Sequence, residues 1–400
     1  MSSTMGVRFS GPLEPYAKGF AAELGRQGYK PRTGIRPQLF LVSYLSRWLA
    51  GGGLEPSVLS SPEVVEEFFA VRRAAGYTNH RTVKVLAYLR QLGVVDPAPV
   101  ADLTAAQALL ERYRDYLIRE RGLASTTARG YVDAVRGFVT QREADGQLVL
   151  AGLGAAEVTA FVVETCPGQG RGSAKMTVTA LRSFLGFLHV VGILERSLVA
   201  AVPAAASWRL AGLPKGLTPA EVSRLLAAPD RRTRNGRRKF AVLALLVRLG
   251  LRAGEVAALE LDDIDWRAGK LIVRGKGDRQ ERLPLPDDVG RALVGYLQRG
   301  RPSTIEGRRV FARIQAPHGP MTANAGSSVV LAVGQRAGVG TVRAHRLRHT
   351  AATQLLATGA SLVEIGQLLR HRSQLTTAIY AKVDTETLRG LARPWPGGVA

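Results

Sequence analysis

Arg252, Lys276, His345, Arg348, His371 and Tyr380 are the side chains of this 400-residue chain whose types and order suit chemistry on an anionic group. Arg252 stands in "GLRAGE", two positions after a glycine that can end a helix, with Glu255 three positions on and on the same helical face. Taken alone, such a pair is a solvent-facing ion pair far more often than a phosphate clamp. Lys276 lies between Gly275 and Gly277 at the tip of a hairpin pattern, where its ammonium can swing over a ligand or simply solubilise a turn. In "HRLRHTAATQLL" His345 and Arg348 share one helical face, and His349 adjoins them. His371 and Tyr380 follow within "HRSQLTTAIYAKVD". A lone helical tyrosine ordinarily packs its ring on a core and turns its hydroxyl to water. Zinc fits this set poorly, because tyrosine is a weak ligand and no thiol or carboxylate completes the site.

These groups need a frame to hold them. "RKFAVLALLVRLG" predicts a buried helix closed by Gly250, just before Arg252. "KLIVRGKGDRQERLPLP" alternates like two short strands around a Gly-rich turn that carries Lys276. Leu347, Ala351, Leu355 and Leu356 give the His345 helix an apolar side, and Gly359 ends it. Ser361 with Glu364 opens the next helix by a capping box, and Ser373 caps a further one bearing Tyr380. Upstream, Thr218, Pro219 and Glu221 mark a helix start after the Ala/Pro-rich linker 202–221. Residues 1–208 show helical periods and no alternating strand. Within them, residues 44–97 are echoed by 135–195, as if one helical unit occurred twice, with a joint at 97–107. The expected fold is mostly α with a small antiparallel sheet in the C-terminal domain (α+β), divided as 1–104, 105–208 and 209–400.

Composition narrows the partner. With 46% hydrophobic and 22% charged residues the chain can build ordinary globular cores. A formal net charge of +23 favours a polyanion, and nucleic acid leads. An anionic membrane is the weaker choice, since no apolar run reaches the ~18 residues a span needs. The opening "MSSTMGVRFSG" also lacks a signal-peptide pattern. A single cysteine, Cys166, excludes an internal disulfide and has no metal-binding companions. The expectation is a soluble, cytoplasmic, nucleoid-associated protein.

The order Arg, Lys, His-x-x-Arg, His, Tyr, set within "LGLRAGE", "GKGDR", "HRLRHTAATQLL" and "IYAKV", resembles the tyrosine recombinases, or phage integrase family. The resemblance is strong over residues 215–385 and looser over 105–208, which look like that family's helical core-binding (SAM-like) domain. It implies a C-shaped clamp on double-stranded DNA and strand exchange through a phosphotyrosyl bond to Tyr380. Arg252 and Arg348 would grip the phosphate oxygens, and fork-shaped, permanently charged guanidinium groups suit that task. His345 would accept or position the tyrosine proton, His371 would donate to the phosphate, and Lys276 would protonate the departing 5′ oxygen. Glu255 would brace Arg252, with His349 in support. No metal or nucleotide cofactor is expected, and GxxxxGK[ST] is absent. Four protomers on two DNA sites are implied, with the tail 384–400 as a candidate docking element between them. One departure stands out: Arg370 precedes His371 where the family has glycine, which would either shift His371 or add a phosphate contact. Residues 1–104 are a second departure, an extra helical module that serves DNA binding or an accessory role. A DNA-binding protein without strand exchange and a type IB topoisomerase remain the alternatives.

Overall fold

The computed structural model describes residues 2–77, 84–97, 103–150, 152–204, 216–275, 280–305 and 307–370, together with Thr377 and Tyr380. Lys276, His371, Ser373, the C-terminal tail and parts of both linkers lie outside the described residues. The chain begins with a hairpin, β1 (Ser2–Thr4) and β2 (Val7–Phe9), followed by α1 (Ala17–Arg26), α2 (Arg36–Gly51), α3 (Pro62–Ala74) and α4 (Lys84–Gln91). The next segment holds α5 (Ala105–Arg119), α6 (Ser125–Thr140), the hairpin β3 (Glu143–Ala144) and β4 (Gln147–Leu148), α7 (Ala155–Thr165) and α8 (Arg171–Val190). Then come α9 (Pro219–Ala227), α10 (Arg234–Arg248) and α11 (Ala253–Ala258), and the sheet β5 (Ile264–Asp265), β6 (Lys270–Arg274), β7 (Gln280–Pro284). The last described helices are α12 (Asp287–Arg299), α13 (Ala323–Arg336), α14 (Ala344–Ala357) and α15 (Leu362–Leu368).

The protein is therefore mostly helical with small antiparallel sheets, as expected, but the β structure is more widely distributed than its sequence suggests. Two hairpins fall within residues 1–208, where no strand was expected. Their strands are only two or three residues long, too short to show period-2 alternation. The turns carried the available signal. Met5-Gly6 (φ 52° and 73°) and Asp145-Gly146 (φ 50° and 75°) place two successive residues at positive φ, the requirement of a type I′ hairpin turn.

Among the described residues the buried apolar side chains form four clusters, one within residues 7–95, one within 106–202, one within 217–347 and a small one of Ala352, Ile365, Leu369 and Tyr380. By backbone proximity Met1–Ala98 and Gly212–Ala400 make one compact unit, and Pro99–Ala211 another. In the first unit the His318 N–H donates to the Gln27 carbonyl at 2.9 Å, so the N-terminal helices touch the C-terminal half directly. Among the described residues, the N-terminal helices and those of the second unit follow the same four-helix order, although their hairpins sit at different places in it.

The local signals explain the C-terminal frame. Thr218 Oγ1 accepts from the Glu221 N–H, and Glu221 returns a bond to the Thr218 N–H at 2.7 Å. Ser361 and Glu364 do the same for α15. Each such cap is worth about 1 kcal/mol. Helix α10 is buried continuously from Ala241 to Val247, which is the pattern of a helix packed on all sides, and α12, α13 and α14 surround it. The expected pair of short strands forms as β6 and β7, antiparallel, with Leu271 opposite Leu283 and Arg274 opposite Gln280. Among the described residues no helix is long and apolar enough to cross a membrane.

Candidate active site

The chain leaves α10 through Gly250 and starts α11 with Arg252 as its N-cap residue. Gly250 has φ +56°, and an added Cβ would sit 2.7 Å from a Leu369 methyl, so this turn requires glycine on both counts. Glu255 caps the short helix from within: its carboxylate accepts from the Arg252 backbone N–H at 2.8 Å and from Arg252 Nη1 at 2.6 Å. The sequence expectation that Glu255 braces Arg252 or nearby backbone describes both contacts.

Arg348 comes from the first turns of α14 and is 2% exposed. Its Nη1 donates to the Gly250 carbonyl at 2.7 Å and its Nη2 to the Leu369 carbonyl, tying α14 to the α10–α11 turn and to the end of α15. Two of its five N–H groups are thereby used. Burial, with the nearby charges of Arg252 and Arg370, brings its pKa down to about 10, so it stays charged at neutral pH.

Arg370 corrects the idea of an added phosphate contact. It adopts φ +54°, the left-handed region that explains why glycine suits this position. Its guanidinium turns inward, donating through Nη2 to Glu255 at 2.6 Å and through Nη1 to the Leu368 carbonyl at 2.9 Å. Both partners of this ion pair are nearly fully buried. Burial pushes the Glu255 carboxyl up, but Arg370 and the Arg252 contacts pull it further down, so it is ionised. One carboxylate thus bridges two arginines that are remote in sequence.

Tyr380 packs its ring with Ala352, Ile365 and Leu369 and is 2% exposed, so the ordinary packing role of a tyrosine is present. Its hydroxyl, however, lies 2.8 Å from His349 Nδ1. With that neutral ring protonated on Nε2, the phenol O–H donates a hydrogen bond to Nδ1. His345, one turn earlier on α14, packs its ring edge-on against His349 with centroids 4.4 Å apart. The sequence favoured His345 for the tyrosine; here the hydrogen bond belongs to His349. The signal was legible, since positions four apart share a helical face, but nothing local says which imidazole a distant hydroxyl meets. Burial raises the Tyr380 pKa, with Arg348 opposing. Burial also lowers His345, and the positive charges of Arg348 and Arg252 add to this.

His349 is lowered to about 4 from 6.5, by burial first and then by His345 and Arg348. Between those two values the unfolded chain binds a proton that the folded one refuses, so stability is intact above the upper value and declines as pH falls toward the lower. On acidification from about pH 7 to about pH 5, the Tm of the native protein should fall more than that of His349→Gln. Equal falls would remove His349 as the source.

Arg252, Glu255, His345, Arg348, His349 and Tyr380 are therefore gathered around the N-terminal half of α14, while Lys276 and His371 lie outside the described residues. Among the described residues no group of His, Cys, Asp and Glu could hold a metal ion.

Residues 215–387 match the phage integrase family, and residues 110–190 match the phage integrase N-terminal SAM-like domain. A putative integrase/recombinase, y4rA of Sinorhizobium fredii, is 40% identical over 393 residues, covering 97% of this chain and 95% of that one. The chain belongs to the phage integrase family, the tyrosine site-specific recombinases. The tyrosine recombinase XerD of Mycobacterium tuberculosis is 35% identical over 304 residues, 96% of its own length but 72% of this recombinase. Among solved structures, a lambda integrase dimer bound to a COC′ core site aligns with TM-score 0.54 at 19% identity, over 80% of this chain and 85% of that one. XerH recombinase in a post-cleavage complex with difH aligns with TM-score 0.54 at 18% identity, over 70% and 83%. At such identities these two likenesses speak for the fold.

Proposed function

We propose that this recombinase cleaves and rejoins duplex DNA through a 3′-phosphotyrosyl bond to Tyr380. The observation that carries the reading is the Tyr380 hydroxyl held 2.8 Å from His349, close enough to Arg348 to feel its charge, with His345 packed on His349. A bond from Tyr380 Oη to phosphorus forms as the bond from phosphorus to the 5′ oxygen breaks, which conserves the phosphodiester energy. Arg252, whose side chain is 46% exposed, and the unused N–H groups of Arg348 stabilise the charge that builds on the non-bridging oxygens. His349 holds the hydroxyl in the free protein. His345, the more exposed neutral imidazole, accepts the proton once the buried ring has moved to the phosphate. Glu255 and Arg370 set the direction of Arg252. His371 and Lys276 keep the parts implied by resemblance, donation to the phosphate and protonation of the 5′ oxygen.

The freed 5′ hydroxyl then attacks the tyrosyl phosphate of a partner strand. A lambda integrase tetramer bound to a Holliday junction shares the fold (TM-score 0.53), which supports four protomers on two sites for this protein. The tail 384–400 is proposed to dock between protomers. The y4rA match covers almost the whole chain, so residues 1–104 are largely shared with an integrase/recombinase, whereas XerD leaves over a quarter of the chain unmatched. That difference supports service to a mobile element, with residues 1–104 as an accessory DNA-binding module. The deciding experiment is a nicked suicide duplex carrying the binding site, selected from a random pool. A covalent protein–DNA adduct is expected, and paired sites should yield exchanged strands. Binding without any adduct would leave only a DNA-binding protein, and relaxation without exchange a topoisomerase.

The surplus of basic groups also sets a salt response. If about 6–10 phosphates are contacted, affinity should drop by about 10³–10⁵ between 50 and 200 mM salt. A flat response in fluorescence anisotropy would refute a large DNA footprint.

A further inference from the structure

The N-terminal helices carry a second cationic surface that the site above does not use. Helix α2 presents Arg36, Phe40 and Tyr44 four residues apart on its exposed side, and α3 with the chain just after it adds Arg72 and Tyr77. With Arg32 these residues line an open groove of about 420 Å³. Phe40, Tyr44 and Tyr77 are 41%, 39% and 47% exposed, while Phe20 and Phe68 of the same module are buried. Three partly exposed rings gathered on one face mark an interaction surface rather than leftover core.

The rings are not bare. The Arg72 guanidinium lies 4.2 Å from the Tyr77 ring centroid and 5.0 Å from that of Tyr44, Arg47 lies 4.6 Å from Tyr44, and Arg36 lies 5.4 Å from Phe40. None of Arg32, Arg36, Arg47 and Arg72 has a carboxylate partner among the described residues. Some exposed arginines elsewhere are already paired: Arg26 with Glu23, Arg73 with Glu66 and Arg291 with Asp287. A guanidinium stacked on an aromatic face keeps its charge and its planar N–H fork while losing much of its rotamer freedom in advance. That is a receptor for a phosphodiester oxygen pair.

We infer that this groove binds the phosphate backbone of duplex DNA outside the cleavage site. The inference rests on the recombinase reading and deepens it. Single strands are disfavoured because their bases need open aromatic faces to stack on, and arginines already cover the Tyr44 and Tyr77 rings. Contacts of this kind extend the footprint and add affinity without reading sequence.

The test uses the full chain with duplexes that end at the core site or run on beyond it. In Arg36→Gln/Arg72→Gln the slope of log affinity against log salt on the long duplex should become shallower by about 2, near 0.9 for each lost phosphate contact. Affinity for the long duplex should fall toward that for the short one, with adduct yield at saturating DNA unchanged. Because Arg72 is half-buried, Arg32→Glu/Arg36→Glu, at two exposed positions, should give the same loss with an unchanged Tm. Arg26→Gln, which removes an already paired arginine, should leave the slope alone. An unaltered slope in both double variants, while the native protein still forms adduct, overturns the groove and spares the recombinase reading. A loss confined to single-stranded oligonucleotides overturns it as well. Absence of any adduct with the native protein is a failure of the recombinase reading instead.

Discussion

Tyr380→Phe should abolish the covalent adduct on a nicked suicide duplex while leaving DNA affinity within a few-fold of the native protein. The substitution deletes one oxygen and keeps the ring that packs on Ala352, Ile365 and Leu369. Its effect on folding is the lost hydrogen bond to His349, worth about 1 kcal/mol. Its effect on chemistry is total, because no other group can form the same bond to phosphorus from that place. Denaturing gel electrophoresis of labelled DNA reads the result. Adduct persisting at native yield would mean that another residue is the nucleophile, and the proposed site would then be wrong.

The second large effect concerns Glu255. Removing one member of a buried ion pair leaves an uncompensated charge, which costs about 3–5 kcal/mol. Glu255→Ala would strand Arg370, whose side chain is 4% exposed, and would also remove the carboxylate that caps α11 and holds Arg252. For a folding unit of about 150–250 residues each kcal/mol moves Tm by about 2–4 °C, so a fall of roughly 6–20 °C is expected in differential scanning calorimetry. Adding Arg370→Gly should restore part of that fall, since it removes both the stranded charge and a non-glycine residue at φ +54°. Arg370→Gly in the native background should behave differently, relieving backbone strain but leaving Glu255 with Arg252 alone. The two substitutions are thus predicted to be strongly non-additive, as residues in one ion-pair network are. Simple additivity would show that the Glu255–Arg370 contact carries no stability. In the double variant Tm recovers while adduct formation stays low, because Arg252 is still unbraced; this separates positioning from folding.

Much of this site was legible in the chain. The types and order of Arg252, His345, Arg348 and Tyr380 pointed to the family, and the capping boxes at Thr218 and Ser361 and the stops at Gly250 and Gly359 set the helix frame correctly. Those signals are local, made by groups within four residues of one another, so sequence spacing and spatial spacing coincide. The two missed hairpins were local too, but their strands were too short for periodicity, and only Met5-Gly6 and Asp145-Gly146 betrayed them.

By itself, then, the sequence named the candidate reactive groups of this recombinase, the helix that carries Arg348 and His349, and the net cationic charge of the chain. Tertiary structure alone decided which groups meet. His345 and His349 are equivalent in type and one turn apart, and the choice between them falls to a hydroxyl 31 residues further on, placed by the apolar packing around Tyr380. Arg370 reads as an outward cation until the fold brings it to Glu255, 115 residues away, in a setting too dry for an unpaired charge. Contacts across such separations depend on how cores close and on where water is excluded, and neither quantity is written in residue spacing.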